Sequence, residues 1–243
     1  MIPLRDENPT RTTPYVTFVL IAANVAAFIW QLGAIASGSR EGMLAYALVP
    51  HDIATGVDLI YPGGPHPVLL TVFTSMFMHA NLLHIAGNML YLWIFGNNIE
   101  DVLGHFRFLF FYLVCGAAAA MGQIIVDPMS RIPMMGASGA IAGVLGAYMM
   151  LFPTANIITL VFIGWYVTTA EIPAIITLGI WFLMQIISLS YMRGMEPHAQ
   201  GGIAYAAHIG GFVAGVALIF ILGGRKLSRQ RRRIVPIRRY NRY

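Results

Sequence analysis

The chain has 243 residues, of which 58% are hydrophobic and only 10% are charged, and its mean hydropathy is +0.70. Soluble domains carry about 25% charged residues, so this composition excludes an ordinary soluble protein and indicates a membrane protein, with room for about six spanning helices. The net charge of +5 does not indicate nucleic-acid binding, because nine of the fifteen Lys and Arg residues lie between Arg225 and Tyr243, where a basic segment after an apolar one is typical of contact with membrane lipids.

Six apolar segments follow one another along the chain and predict six transmembrane helices. They are Tyr15–Ala36, Val72–Gly96, Phe106–Val126, Ala137–Phe152, Ile172–Tyr191 and Gly202–Gly224. No Gly-Ser linker or sustained repeat divides them, so we expect one all-α, polytopic membrane domain over residues 15–224. An N-terminal segment, residues 1–14, precedes this domain, and a basic tail, residues 225–243, follows it.

The positive charges predict the orientation of these spans. If the N-terminus is cytoplasmic and the spans alternate, twelve of the fifteen Lys and Arg residues lie on the cytoplasmic side, and only Arg40, Arg131 and Arg193 lie outside. This asymmetry is the one expected of a correct topology, and both termini are then cytoplasmic. The first apolar segment is longer than a signal-peptide core of about 7–15 residues, so we expect it to be retained.

Polar side chains are rare in these segments, and several are predicted to lie at one depth. Ser138 stands near the start of the fourth segment and His208 near the start of the sixth. The second, fourth and sixth segments all enter from the outer side, so His79, His84 and Asn88 of the second segment lie at a similar depth. Polar groups inside a membrane are costly and are therefore functional candidates. A serine in contact with a histidine would form a nucleophile and its base.

Ser138 and His208 also have structural interpretations. A serine in a membrane helix often bonds a backbone carbonyl or a neighbouring helix. The nearby Gly136 and Gly139 can have a purely structural role, which is to let helices pack closely. A single intramembrane histidine can equally bind a metal or relay protons. Close packing of the fourth and sixth segments would nevertheless bring Ser138 and His208 into contact.

The polar residues of the second segment have an alternative interpretation as well. His84 and Asn88 are spaced i, i+4 and so share one helix face. Together with His79 they can form an interhelical hydrogen-bond cluster that has no chemical role.

Four motifs occur in order between about residues 71 and 223. They are His79-Ala-Asn-Leu-Leu-His84-Ile-Ala-Gly-Asn88, Gly96-Asn-Asn-Ile-Glu100-Asp-Val-Leu-Gly104, Gly136-Ala-Ser138-Gly139 and Ala207-His208-Ile-Gly210-Gly211. Together they resemble the rhomboid family of intramembrane serine proteases, specifically its compact six-span bacterial type. The resemblance implies a six-helix bundle in a bacterial plasma membrane, although the sequence leaves an organelle open.

The resemblance implies a catalytic dyad. Ser138 matches the nucleophile and His208 the general base, with no third carboxylate, and Gly136 and Gly139 are supporting positions around the serine. Many members of the family carry an aromatic residue four positions after the serine, packed on the catalytic imidazole. Here that position is Ala142, so His208 is expected to be oriented by other neighbours.

The resemblance also implies an oxyanion hole. The side chains of His84 and Asn88, assisted by the backbone N–H of Ser138, match its donors, and His79 matches a supporting position. Glu100 matches a structural residue. No cofactor or metal is implied.

These roles predict an endopeptidase that hydrolyses peptide bonds in or near transmembrane helices of other membrane proteins, including single-span ones. We expect cleavage to favour segments that unwind easily, with a small residue at the cleavage position. The main alternative is a catalytically inactive relative that binds membrane helices for quality control. A transporter would require symmetry between inverted halves, which the sequence does not show. The oligomeric state and the physiological substrate are left open.

Overall fold

The computed structural model of the chain describes residues 2–58, 60–193 and 204–234. The chain is mostly helical, as the sequence predicts, and it also contains a three-stranded antiparallel sheet that the sequence did not predict. The start of the predicted sixth span at Gly202 and residues 235–243 of the predicted basic tail lie outside the described residues.

The secondary structure alternates long apolar helices with short connecting elements. The helices are α1 (Tyr15–Ala36), α2 (Arg40–Leu44), α3 (Pro50–Thr55), α4 (Thr71–Thr74), α5 (Leu82–Tyr91), α6 (Asn97–Leu103), α7 (His105–Val126), α8 (Ser138–Leu151), α9 (Ala174–Arg193), α10 (Tyr205–Ile221) and α11 (Gly224–Ile234). The strands are β1 (Ile2–Asp6), β2 (Asn156–Ile163) and β3 (Tyr166–Pro173). Two 3-10 turns, Val68–Leu70 and Ser75–Phe77, flank α4, and a π-helical turn, Leu92–Gly96, joins α5 to α6.

The helices have the length and composition of membrane spans. In the described part of the chain, three single helices, α1, α7 and α9, are long and apolar enough to cross a membrane, and one bent pair of helices forms a fourth candidate. The apolar helices α8 and α10 are shorter. The protein is therefore a polytopic helical membrane protein, and the number of six spans stays a prediction.

The predicted second span, Val72–Gly96, is not one straight helix. The segment Val68–Phe77 is bent by 81° from the segment Leu82–Leu103. The new helix, α5, begins at Leu82, and the preceding residue Asn81 is its N-cap, whose side-chain oxygen accepts the backbone N–H of His84. Hydropathy does not reveal this break because the flanking residues are apolar.

The sheet joins the N-terminal segment to the connection between α8 and α9. Its order is β1-β2-β3, with Asp6 of β1 opposite Ile157 of β2. Strands β2 and β3 form a hairpin in which Asn156 lies opposite Pro173. Ile157 and Thr159 are fully buried. The sheet therefore covers the end of the bundle where α8 ends and α9 begins, which we call the sheet end.

At the end of the bundle opposite the sheet, the starts of α8 and α10 are held together by close helix packing. Helix α10 packs more extensively against α8 and α7 than against the other elements. A Cβ atom at Gly211 would overlap the carbonyl oxygen of Gly139, and one at Gly215 would overlap that of Gly143. These glycines let the backbones of α8 and α10 touch, as small residues do in membrane helices. The start of α8 therefore lies beside the start of α10.

Candidate active site

Ser138 and His208 lie side by side at the starts of two packed helices. Ser138 is the first residue of α8, and its Oγ lies 2.9 Å from Nε2 of His208 near the start of α10. Both residues are half-buried and line a cavity of about 650 Å³. The structure thus brings together the two residues that the sequence predicts as nucleophile and base, at a distance suited to proton transfer.

Two residues of α9 that the sequence did not predict contact the imidazole of His208. Oε1 of Gln185 lies 2.8 Å from Nδ1, and the ring centroid of Trp181 lies 5.8 Å from that of the imidazole. Ala142 has no ring, and the aromatic neighbours of the imidazole are instead Trp181 and Tyr205 of α10, whose ring centroid lies 6.4 Å from that of His208. The sequence does contain an indication of Gln185, because it is the only side-chain amide between residues 172 and 191. Polar groups in such an apolar segment are functional candidates.

His79, His84 and Asn88 form a cluster beside the serine. The amide Nδ2 of Asn88 donates to Nε2 of His79 at 2.9 Å, and the rings of His79 and His84 meet edge to face at 5.2 Å. His84 and Asn88 line the same cavity as Ser138, whereas His79 is almost fully buried. The structure therefore places the two predicted side-chain oxyanion donors, His84 and Asn88, at the cavity, and the predicted supporting residue His79 behind them.

Gln31 of α1 stabilises the backbone at the bend before α5. Its Oε1 accepts the backbone N–H of His79 at 2.8 Å, and its Nε2 donates to the carbonyl oxygen of His79 at 3.0 Å. Both bonds satisfy backbone groups that the break removes from a helix. The sequence did not predict this role, although Gln31 is a polar residue in an apolar span.

The two glycines of the serine motif allow close approach on both sides. The φ angle of Gly136 is +133°, and a Cβ there would lie 2.8 Å from Cε1 of His84. Its backbone N–H donates to the carbonyl oxygen of Ser75 at 2.9 Å. A Cβ at Gly139 would lie 2.6 Å from Cβ of Ala119 in α7. Side chains at either position would displace the groups around the serine.

The start of α8 supplies further polar groups. In the part of the chain that the structure describes, no side chain caps this helix. The first N–H groups of a helix have no acceptor within it, and Ser138, Gly139 and Ala140 at this start all line the cavity. Among the described residues, no group of three or more His, Cys, Asp or Glu side chains is arranged to hold a metal ion.

Comparison with known proteins matches this chain to one family. The sequence profile of the rhomboid domain matches residues 66–225. Rhomboid protein 1, mitochondrial, from Saccharomyces cerevisiae is 29% identical over 206 residues, which are 83% of this chain and 51% of that protein. Rhomboid protease GluP from Bacillus subtilis is 31% identical over 152 residues, which are 63% of this chain and 26% of that protein. The chain spans about half or less of the length of these two relatives.

Proposed function

The chain belongs to the rhomboid family, and on that premise we propose that it is an intramembrane serine endopeptidase that hydrolyses peptide bonds in or near the transmembrane helices of other membrane proteins. The observation that carries the proposal is the 2.9 Å contact between Oγ of Ser138 and Nε2 of His208. This contact lies at the wall of a cavity within an apolar helical bundle. The name of one relative, rhomboid protease GluP, supports the same activity.

Ser138 acts as the nucleophile and His208 as the general base. Nε2 of the neutral imidazole takes the hydroxyl proton as Oγ attacks the carbonyl carbon of the scissile peptide bond. The imidazolium then gives this proton to the leaving amine as the C–N bond breaks. Water, deprotonated by His208, then attacks the carbonyl carbon of the resulting ester. As the C–Oγ bond breaks, the imidazolium returns the proton to Oγ, which releases the new carboxyl end of the product and regenerates Ser138 and neutral His208.

The negative charge of the tetrahedral intermediate is stabilised by fixed donors. We assign this role to the side chains of His84 and Asn88 and to the backbone N–H of Ser138. All three residues line the cavity, and the hydrogen bond from Asn88 to His79 fixes the orientation of its amide. Loss of one such donor raises the barrier by about 3 kcal/mol in other serine proteases.

The substrate helix must unwind before it is cut, because a helix hides its carbonyl groups in hydrogen bonds. Segments with Gly or Pro unwind most easily, so we propose them as preferred sites, with a small residue at the cleavage position. Leu83 and Gly87 of α5 and Trp181 of α9 all line the cavity. We therefore propose that the substrate enters between α5 and α9.

The dyad is tested by cleavage of a labelled single-span substrate in detergent or liposomes. Ser138→Ala and His208→Ala are each expected to abolish cleavage, because either one removes the nucleophile or its base, while the melting temperature stays close to that of the parent. The matched control is Ser190→Ala, because the hydroxyl of Ser190 donates to the carbonyl oxygen of Ile186 in its own helix at 2.9 Å. A parental cleavage rate in either dyad variant would contradict the assignment.

The same assay separates the enzyme from its main alternative. If the chain is a catalytically inactive member of the family, the parent protein will bind the labelled helix and leave it intact.

We also propose that the chain lies in a bacterial plasma membrane with both termini cytoplasmic. Its relatives include a mitochondrial and a bacterial protein.

A further inference from the structure

Gln185 is the buried polar residue of α9 that contacts the proposed base. It is 9% exposed, and its Oε1 lies 2.8 Å from Nδ1 of His208. None of the four sequence motifs includes it. A buried amide is costly unless both of its ends are hydrogen-bonded, so the partners of each end carry information about its role.

The orientation of the Gln185 amide follows from its second partner. Its Nε2 donates to the carbonyl oxygen of Trp181, one turn earlier in α9, at 3.1 Å. The opposite orientation would set two oxygens against each other at this position, and neither can donate. Oε1 therefore faces His208.

This orientation determines which ring nitrogen of His208 carries the proton. A neutral imidazole has one N–H, and Oε1 can only accept, so the hydrogen bond requires the proton on Nδ1. The lone pair of Nε2 then faces Oγ of Ser138 at 2.9 Å. That is the tautomer in which the imidazole can act as a base toward the serine.

We propose that Gln185 is the positioning residue of the dyad, because its contacts hold His208 in the tautomer and orientation needed to deprotonate Ser138. The inference rests on the proposed function of these two residues. In a Ser-His-Asp triad a carboxylate has this role. A neutral amide suits an apolar bundle better, since it orients the ring without burying a second charge. Trp181, which packs beside the imidazole, further restricts the ring.

The tautomer is measurable without any substrate. ¹⁵N NMR of histidine-labelled protein in detergent micelles distinguishes a proton on Nδ1 from one on Nε2, and the spectrum of His208→Ala identifies the signal of His208 among the seven histidines. We expect the parent to carry the proton on Nδ1. A proton on Nε2 in the parent would overturn the proposal, whether or not the protein cleaves a substrate.

Kinetics test the consequence of the contact. Gln185→Leu and Gln185→Met keep the size of the side chain but remove the acceptor, so kcat is expected to fall at least about tenfold, the rate equivalent of one hydrogen bond, with KM unchanged. The NMR signal of His208 should then report a mixture of tautomers. Gln185→Glu keeps an oxygen acceptor and is expected to retain both the Nδ1 proton and most of the rate.

The matched control is Gln123→Leu, the same substitution at a half-buried amide of α7. It is expected to leave kcat and the His208 signal unchanged. Parental kcat in folded Gln185→Leu or Gln185→Met would overturn the proposal, as would an equal loss in Gln123→Leu. If the parent itself does not cleave, yet its Nδ1 proton is lost in the Gln185 variants, the proposed function fails and the positioning role stands.

Discussion

Gly136 lies two residues before Ser138, and its φ angle of +133° is one that residues with a side chain rarely adopt. A Cβ there would also lie 2.8 Å from Cε1 of His84. We therefore expect Gly136→Ala to destabilise the protein by about 1–3 kcal/mol. It should also slow cleavage, because the imidazole of His84 must move away from the proposed oxyanion site. Thermal unfolding and kcat on a single-span substrate measure the two effects.

Gly179→Ala is the matched control for this substitution. Gly179 lies in α9, and among the described residues a Cβ there would have no neighbour within 4 Å outside the backbone of its own helix. Alanine in a helix interior is favoured over glycine, so stability and cleavage should not decrease. Equal behaviour of the two variants would contradict a special role for Gly136.

At the level of single residues, the sequence predicts those whose polarity stands out within a recognisable motif. Ser138 and His208 belong to such motifs, and the structure brings them into contact. Gln185 and Gln31 have the same polarity but no motif. Their hydrogen-bond partners lie 23 and 48 positions away in the sequence, so only the fold reveals what they contact.

Among the helices, α8 is too short to cross a membrane alone. Its 14 residues span only ~21 Å, against a hydrocarbon core of ~30 Å. All residues from Gly139 to Tyr148 are buried within the protein. Neighbouring helices therefore shield α8 from lipid, and its short length lets Ser138 lie at the wall of an internal cavity.

The contact between α8 and α10 gives a prediction at the level of these helices. A Cβ at Gly215 would overlap the carbonyl oxygen of Gly143, and a backbone oxygen cannot turn aside as a side chain can. Gly215→Ala is therefore expected to separate the helices, at a cost of about 1–3 kcal/mol in stability. Because Ser138 and His208 lie on these helices, labelling of Ser138 by a fluorophosphonate should also slow.

The control for this variant is Gly33→Ala in α1, where a Cβ would meet no atom within 4 Å in the part of the chain that the structure describes, apart from its own helix backbone. Its melting temperature and labelling rate should match those of the parent. If Gly215→Ala labels as fast as Gly33→Ala, the backbone contact does not position the dyad.

Hydropathy predicts the long apolar helices, but it does not predict the bend before α5 or the sheet. Helix α1 has the predicted bounds, Tyr15–Ala36, because its apolar run ends in polar residues on both sides. The bend before α5 was missed, since an N-cap such as Asn81 leaves the apolar pattern almost unchanged. The sheet was missed because β2 is apolar on both faces and because its partner β1 lies about 150 residues earlier in the chain.

Across the whole molecule, buried polar contacts at the sheet end connect the N-terminal segment to the bundle. The carboxylate of Glu100 accepts the backbone N–H groups of Val16 and Thr17 at the start of α1, at 2.8 and 2.7 Å. Near the sheet, the hydroxyl of Tyr148 and the amide of Asn98 both donate to Oδ2 of Asp6. Residues 2–6 are therefore an integral part of the fold and not a separate extension.

The contacts of Asp6 predict that stability depends on pH. Burial raises the pKa of the Asp6 carboxyl from 3.8 to about 6, although its hydrogen bonds act in the opposite direction. The folded chain therefore holds this proton more tightly than the unfolded chain, and the stabilisation from the protonated carboxyl is present below about pH 4 and is lost as the pH rises through about 6. Asp6→Asn cannot ionise, so the melting temperature of the parent, measured relative to this variant, should fall between about pH 4 and 7. Other titrating groups are common to both proteins and cancel in the difference. A constant difference across this range would show that folding does not raise the pKa of Asp6.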